Sequence, residues 1–473
     1  MFVLPEHLHS SSHLTDTVAV TSPVTDPVAY DAQPRRPSWG VRTPLRKSLS
    51  TGVPVLVAPP PPLVCISLAQ GRGAAARPTV AAGQRVRCGE PVGEAGELYG
   101  PRVHASISGQ VTHVELRRVA GVTDPVPCVV IEGDGSDQRW SGYTPAPDSA
   151  SRPPRELQER IAAAGLIGLG GALFPTARKL ASSVGTPVLL LNGAECEPYI
   201  SCDDLLIRER AGRVVAGGQL LLAALGAQRC VIAVKTDMPE ARIALYNALQ
   251  AAADPRMVMS VVTAKYPAGG ERQLIELVLG REVPAGGHPA DSGVLCQNVA
   301  TAAAVADFFL GGQPLISRIV TVTGGGVGQP RNIEARIGTP VADLIALAGG
   351  YRDEPDRRTQ RLIMGGPMMG LTLESDELPV TSATNCLIAA TADELGSEEH
   401  EMPCIRCGDC VEACPANLLP QELLVAARAG NIAELQALGV SECIECGACD
   451  YVCPSHIPLT QHFVRGKATL VNG

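Results

Sequence analysis

Apolar positions along this chain change their spacing several times, and each change predicts a different kind of structure. Residues 1–40 are polar, rich in Pro, Ser and Thr, and carry no apolar period, which predicts a disordered or loosely attached arm. Between 41 and 149, short apolar runs such as 53–58 and 126–132 stand between Gly and Pro punctuation, the pattern of short strands. From 150 to 312, strand-length apolar runs alternate with helical periods. Helices are predicted over 156–164, 211–225 and 239–252, and strands over 187–191, 229–235 and 258–264. That alternation predicts a parallel sheet with helices on both faces, and any ligand beyond the C-terminal ends of its strands. Residues 313–395 return to strands, at 317–323 and 361–366, around a helix at 341–348. The last stretch, 396–473, sets two short helical segments, 421–429 and 432–438, among cysteine arrays.

Two segments of the second region, VAAGQRVRCGEPVG (80–93) and VHASISGQVTHVEL (103–116), look like the halves of a small β-sandwich of the lipoyl- or biotin-carrier type. A carrier needs a lysine at its hairpin tip. None occurs between Lys47 and Lys179, so a swinging prosthetic arm is excluded and a structural module is expected. Composition narrows the functions further. The 473 residues suggest about three domains, and a 45% hydrophobic content is enough for sizeable cores. Aromatic residues are 3% and the net charge is −9, which leaves neither base-stacking platforms nor a basic stripe, so no nucleic-acid partner is expected. The most apolar stretch, 216–234, is broken by Gln219, Gln228 and Arg229 and reads as a helix, a stop at Gly226 and a strand rather than a membrane span. No basic region followed by an apolar core opens the sequence, so no secretory signal is expected, and membrane contact would come through a partner.

Half of the 16 cysteines fall into two arrays, which points to metal ligation in a reducing compartment rather than to a disulfide scaffold. The first is Cys404, Cys407, Cys410 and Cys414, followed by Pro415; the second is Cys443, Cys446, Cys449 and Cys453, followed by Pro454. Each reads C-x2-C-x2-C-x3-C-P, the run of two-cluster ferredoxins, in which the fourth cysteine serves the other cluster. Closely spaced thiolates wrap one corner of a cube, and the trailing proline bends the chain away so that the fourth thiolate crosses over. One 4Fe-4S cluster is therefore expected on Cys404, Cys407, Cys410 and Cys453, and the other on Cys443, Cys446, Cys449 and Cys414. Structural zinc is the alternative for paired CxxC units, but two identical four-cysteine arrays each closed by proline are not its usual pattern. The 28 residues between Cys414 and Cys443 read as helical, which predicts an α-helical two-cluster module. The remaining cysteines are scattered, and a buried apolar thiol is the default for each.

The α/β region contains GLIGLGGALFPTARKL, from Gly165 to Leu180, a glycine loop running into a helix at Pro175. Such a loop lets backbone amides approach a phosphate at the positive end of a helix, with Lys179 a turn further on, although glycine loops are often only turns. Three more segments put polar groups where strands end: NGAECEPY (192–199), KYPAGGERQLI (265–275) and QNVATAAAV (297–305). With GREVPAGG, TVTGGG, MGGPMMG, NCLIA and both cysteine arrays, these resemble the RnfC subunit of the Rnf electron-transport complex, from about residue 41 to the C-terminus. The glycine loop and the segments after it also resemble the flavin-binding subunit of respiratory complex I.

The resemblance implies FMN, with NADH as substrate. Gly168, Gly170, Gly171 and Lys179 would hold the FMN phosphate or ribityl chain. Asn192, Glu195 and Glu197 would line the flavin and nicotinamide site, with the two glutamates in the catalytic role. Glu271, Asn298 and Thr301 would complete the pocket, and Phe174 would face the NADH adenine. The sequence departs from the complex I pattern at Leu173, where that pattern has glycine and a side chain would narrow the nucleotide's way in. It departs again at Gly270–Glu271, which stands in place of two consecutive glutamates.

The expected architecture is a multidomain α/β chain. An arm (1–40) precedes a lipoyl-like barrel-sandwich module (41–149), an α/β FMN/NADH-binding domain with a parallel sheet (150–312), a β-grasp-like (SLBB) module (313–395) and an α-helical two-cluster ferredoxin domain (396–473). The resemblance implies an NADH-oxidising electron-input subunit at the cytoplasmic face of the bacterial inner membrane. Its partners would be the integral-membrane and peripheral Rnf subunits and a ferredoxin-like carrier. A soluble cobalamin reductase of the same modular family, and an electron-wire subunit that binds no nucleotide, are the competing readings.

Overall fold

The computed structural model describes residues 34–96, 100–396 and 400–472. Its centre is a four-stranded parallel sheet in the order Met257–Val262, Arg229–Lys235, Val188–Asn192, Val294–Asn298. The strands are short and largely apolar because both faces are covered. Leu189 and Leu191 point into one core and Val188 and Leu190 into the other, the period of two that a strand imposes. Helices Cys202–Leu225, Pro239–Ala252 and Val299–Gly311 pack together in the larger core, and Glu271–Leu279 covers the opposite face. The order of the strands reverses between Val188–Asn192 and Val294–Asn298, where crevices form in sheets of this kind. Asn192 and Asn298 are register partners at that point.

Several elements differ from the sequence expectation. The helix expected from 211 begins at Cys202 and runs to Leu225 with a non-helical break at Arg210. Its first turn carries Asp203 and Asp204, whose buried carboxylates break the apolar period a sequence reading relies on. Residues 34–40, expected in the loose arm, are docked instead; residues 1–33 lie outside the described residues. Arg35 bridges to Val262 at the edge of the parallel sheet, Trp39 is buried, and the Gly40 amide donates to the Ala413 carbonyl in the C-terminal module at 3.1 Å. This short stretch has too few apolar residues to show a period, yet it joins two modules.

Two small sheets enclose a core of Val64, Ile66, Val92, Ile107, Val129 and Ile131. One holds Leu63–Ser67, Val126–Gly133, Gly109–Arg117 and Arg85–Val86; the other holds Arg77–Pro78, Pro91–Glu94 and Val103–His104. A six-stranded mixed sheet follows in the order Leu56–Val57, Arg331–Arg336, Ser317–Thr323, Cys386–Ala390, Arg361–Met364, Leu371–Thr372, and its core includes the helix Val341–Leu347. Its first strand comes from the N-terminal region: Leu56 pairs with Ile333 in parallel. The C-terminal module is built from short helices, with Leu423, Leu435, Ile457 and Phe463 in its core. No helix among the described residues is long and apolar enough to cross a membrane.

Two helices of the α/β core approach closely at Gly217, where an added Cβ would lie 1.7 Å from the Ala302 carbonyl oxygen. Backbone rather than a flexible side chain stands in the way, so the helices Cys202–Leu225 and Val299–Gly311 must separate to accept any side chain there. Gly217→Ala is expected to cost about 1–3 kcal/mol, the range for overpacking a dense core. Thermal unfolding of the full chain measures it; an unchanged midpoint would show that the helix pair has slack.

Candidate functional site

A cavity of about 470 Å³ opens above the C-terminal edge of the parallel sheet, at the reversal point. That is within the usual range for small-molecule sites. Its walls come from the glycine loop, the ends of Val188–Asn192 and Val294–Asn298, the loops after Asn192 and after Met257–Val262, and Met369. Ile444 and Cys446 of the C-terminal module close it. Gly168, Gly170, Phe174, Lys179, Asn192, Glu195, Glu197, Glu271 and Asn298 all line it.

Two of the residues expected in the pocket are not part of its wall. Thr301 is fully buried, and its hydroxyl accepts the Leu169 amide at 2.9 Å, so it holds the glycine loop from behind. Gly171 faces open space, and its φ of +98° supplies the turn of the loop. Leu173 does not narrow the cavity, because its side chain packs against the large core. It does so with φ +54°, a conformation that favours glycine and one that explains a glycine at this place in the complex I pattern.

The side chains at the strand ends shape the wall. Asn192 Nδ2 donates to the Gly269 carbonyl at 2.8 Å, and its Oδ1 accepts the Ala194 amide at 3.0 Å. Asn298 caps Val299–Gly311 by accepting the Ala300 amide at 2.7 Å and donates to Asp203 Oδ2 at 2.7 Å. Lys179 Nζ reaches Glu271 Oε1 at 2.5 Å and the Cys296 carbonyl at 2.7 Å, so the lysine and the single glutamate of the third segment form one unit. The Arg178 guanidinium lies 6.0 Å from the centre of the Phe174 ring.

The two glutamates expected in catalysis are placed differently. Glu195 is tied down: its Oε2 is 3.3 Å from Lys47 Nζ, and its Oε1 accepts from the Asp203 amide and the Cys202 thiol, each at 3.2 Å. Glu197 accepts the Met368 amide on Oε2 at 3.2 Å, while its Oε1 is buried without a hydrogen-bond partner. Burial pushes the Glu197 carboxyl up to about 7, against the pull of the Met368 and Met369 amides and of Lys47. Burial and the neighbouring Glu195 charge likewise raise Asp203.

Lys47, Asp203, Arg318, Tyr266 and the turn 365–370 are site residues that the sequence did not reveal as such. Lys47 is the last lysine before a long lysine-free stretch, and Arg318 is a lone charge in an otherwise uncharged strand; both are faint signals of buried pairing. Arg318 donates to the Leu169 carbonyl at 3.3 Å from the neighbouring mixed sheet, and burial lowers it. The turn reaches Glu197 so closely that a Cβ on Gly366 would lie 2.1 Å from its Oε2.

The cysteines gather into two further cavities. Cys404, Cys407, Cys410 and Cys453 line one; Cys414, Cys443, Cys446 and Cys449 line the other. Matching left-handed turns occur in both arrays, at Arg406 and Gly408 and at Glu445 and Gly447. Four sulfurs about each hollow form a donor set suited to an iron–sulfur cluster. Cys404 and Cys407 are exposed, whereas Cys446 and Cys449 are buried. For the flavin, the fit rests on the cavity's size, the side-chain-free approach at Gly170 and the buried, unpartnered Oε1 of Glu197.

The state of Glu197 yields a test. An unfolded carboxyl releases its proton near 4.5, whereas the folded one keeps it to about 7. Between those values the native state binds more protons, so this group costs stability as pH rises through that window and continues to do so above it. Glu197→Gln removes the cost. Relative to wild type, the flavin-free variant is expected to gain up to about 3 kcal/mol at pH 8 that it does not gain at pH 4.5. Urea midpoints at both pH values measure this; the same difference at both would disprove it.

Four family models match the chain in succession: the RnfC barrel sandwich hybrid domain over 37–136, the Nuo51 FMN-binding domain over 161–307, the SLBB domain over 319–372 and a 4Fe-4S dicluster domain over 403–457. The C subunit of the ion-translocating oxidoreductase complex of Pseudomonas aeruginosa is 46% identical over 434 residues, 91% of this chain and 55% of its own length. That of Vibrio cholerae is 42% identical over 400 residues, covering 84% and 51%. The Rhodobacter capsulatus protein of the same name is 40% identical over 438 residues, covering 91% and 82%. The chain thus spans about half the length of the first two relatives. A solved chain of NAD+-reducing NiFe hydrogenase aligns with a TM-score of 0.44 at 21% identity, over 70% of this chain and 63% of its own. Through its relatives, the chain belongs to the RnfC family of ion-translocating oxidoreductase complexes, with an FMN-binding domain and a 4Fe-4S dicluster domain.

Proposed function

We propose that this chain is the peripheral electron-input subunit of a membrane ion-translocating oxidoreductase, passing electrons between NADH and a ferredoxin-like carrier through FMN and two 4Fe-4S clusters. The reading rests above all on a shared wall: Cys446 lines both the large pocket and the second cysteine cavity. FMN, when bound, exchanges a hydride for single electrons, which the clusters carry.

The chain's own residues bind, orient and shield. The glycine-loop amides and Lys179 answer the charge of a phosphate, and Glu271 fixes the position of the lysine. Asn192 ties its strand end to the Gly269 loop, Asn298 ties its own to Asp203, and Thr301 anchors the glycine loop from behind. Glu197, with one buried oxygen left without a partner, would face the nicotinamide, while Lys47 neutralises Glu195 in the wall. Phe174 gives the adenine a flat surface. Cys414 joins Cys443, Cys446 and Cys449 on the cluster beside the pocket. Cys453 joins Cys404, Cys407 and Cys410 on the other, whose exposed cysteines suit exchange with a partner. Integral-membrane and peripheral subunits would hold the chain at the cytoplasmic face of the bacterial inner membrane.

Anaerobic reconstitution with iron, sulfide and FMN tests this directly. About eight irons and eight sulfides per chain are expected, with a bound flavin that NADH bleaches. Stoichiometric zinc in place of iron, or a flavin indifferent to NADH, would sink the corresponding part of the reading.

Two substitutions extend the test. A Cβ at Gly170 would lie 3.1 Å from the Asn298 Cβ, and a valine would fill the approach to the loop amides. Gly170→Val is expected to abolish flavin retention while leaving the iron content intact; flavin retained at the wild-type level would place it elsewhere. Cys414→Ser is expected to perturb the cluster of the second array and Cys453→Ser that of the first, as read by EPR. Each disturbing its own array would reverse the assignment.

A further inference from the structure

Tyr266 stands where the two modules meet. Its ring lines the large pocket, and its hydroxyl donates to the Cys446 carbonyl oxygen at 2.7 Å. Cys446 lines the same pocket and, from its other side, the cavity of Cys414, Cys443 and Cys449. Tyr266, Cys446, Ala413, Ala448, Met368 and Val41 form one small apolar cluster, and the hydrogen bond within it is buried.

The tyrosine is itself held rigidly. Its amide donates to the Val41 carbonyl at 2.9 Å and its carbonyl accepts the Val41 amide at 2.8 Å. The preceding Gly40 has φ +86°, and a Cβ there would lie 2.3 Å from the Tyr266 oxygen, so only glycine admits this approach. The Gly40 amide meanwhile donates to Ala413, the residue before Cys414. The docked segment 34–41 therefore grips the tyrosine on one side and the C-terminal module on the other.

We propose that Tyr266 is a positioning residue for electron transfer. Its hydroxyl pins the Cys446 backbone to the pocket wall and raises the reduction potential of the cluster that Cys446 ligates. A hydroxyl aimed at a ligand's peptide brings the positive end of a dipole toward the cluster. In a buried setting, such a dipole favours the more negative, reduced state. Hydrogen bonding around a cluster and its exclusion of solvent are established controls of cluster potential. This inference rests on the reading that Cys414, Cys443, Cys446 and Cys449 hold a cluster, and on nothing about NADH.

The test is mediated potentiometry followed by EPR on the full chain, reconstituted anaerobically with iron, sulfide and FMN. Wild type, Tyr266→Phe and Cys414→Ser are compared, the last identifying which signal belongs to which cluster. Tyr266→Phe keeps the ring and removes only the donor. It is expected to lower the midpoint of the Cys446 cluster and leave that of the Cys404 cluster unmoved, with iron and flavin at wild-type levels. Should the variant assemble poorly, loss confined to the Cys446 cluster with flavin retained supports the same hold. Unchanged midpoints, equal shifts in both clusters, or joint loss of flavin and both clusters would overturn the proposal. A wild-type chain that assembles no cluster on the second cavity overturns the cluster reading with it. Wild-type clusters that NADH does not reduce leave this proposal standing, because the mediators bypass NADH.

Discussion

A parallel sheet brings all its strands to an end at one edge, and the backbone groups there have no further strand to pair with. Whatever lies above that edge must supply their partners or leave buried amides and carbonyls unsatisfied. Here the demand is met largely by side chains at the strand ends and by loops. Asn192 and Asn298, register partners on the two central strands, turn their amides to the loops that follow. The glycine loop is secured by Thr301 and Arg318 from opposite sides. The hollow that remains is lined by groups already committed to holding one another, and such rigidity is what a cofactor site needs to orient its ligand.

Charge follows the same logic. Glu195, Asp203, Lys47 and Arg318 lie at the back of the pocket, drawn from three separate regions of the chain. Removing one partner of a buried pair leaves an uncompensated charge, typically at a cost of about 3–5 kcal/mol. The lysine comes from the N-terminal segment and the arginine from the mixed sheet. The site therefore belongs to the assembled modules together, not to the α/β domain alone. Glu197 is the exception, with one oxygen held by the 365–370 turn and the other uncommitted.

Local patterns were readable wherever they were regular. The strand Arg229–Lys235, the helix Pro239–Ala252 and the strand Ser317–Thr323 have the bounds their apolar periods indicate, because packing and propensity agree there. The first turns of Cys202–Leu225 were missed because buried carboxylates replace apolar residues on the inner face. Polar segments after strands marked the pocket's location, yet not which side chains face it. Thr301 and Leu173 turn away for reasons of packing that no spacing reveals. Lys47 lies 148 positions from the glutamate it neutralises, a pairing that only tertiary structure creates.

The pairing of Leu56–Val57 with Arg331–Arg336 bears on how the chain is made. Beside it, Asn332 donates to the Ser50 carbonyl across 282 positions at 3.1 Å. At synthesis rates of about 5–20 residues per second, the N-terminal segment waits roughly 15–55 s on the ribosome before its partner strand exists. During that interval the Leu56–Val57 segment lacks its partner strand, and Lys47 has no carboxylate to meet until Glu195 is in place. The Leu56–Val57 strand is thus translated well before the strand that fixes it, and until then its edge depends on whatever shields an open strand in the cell.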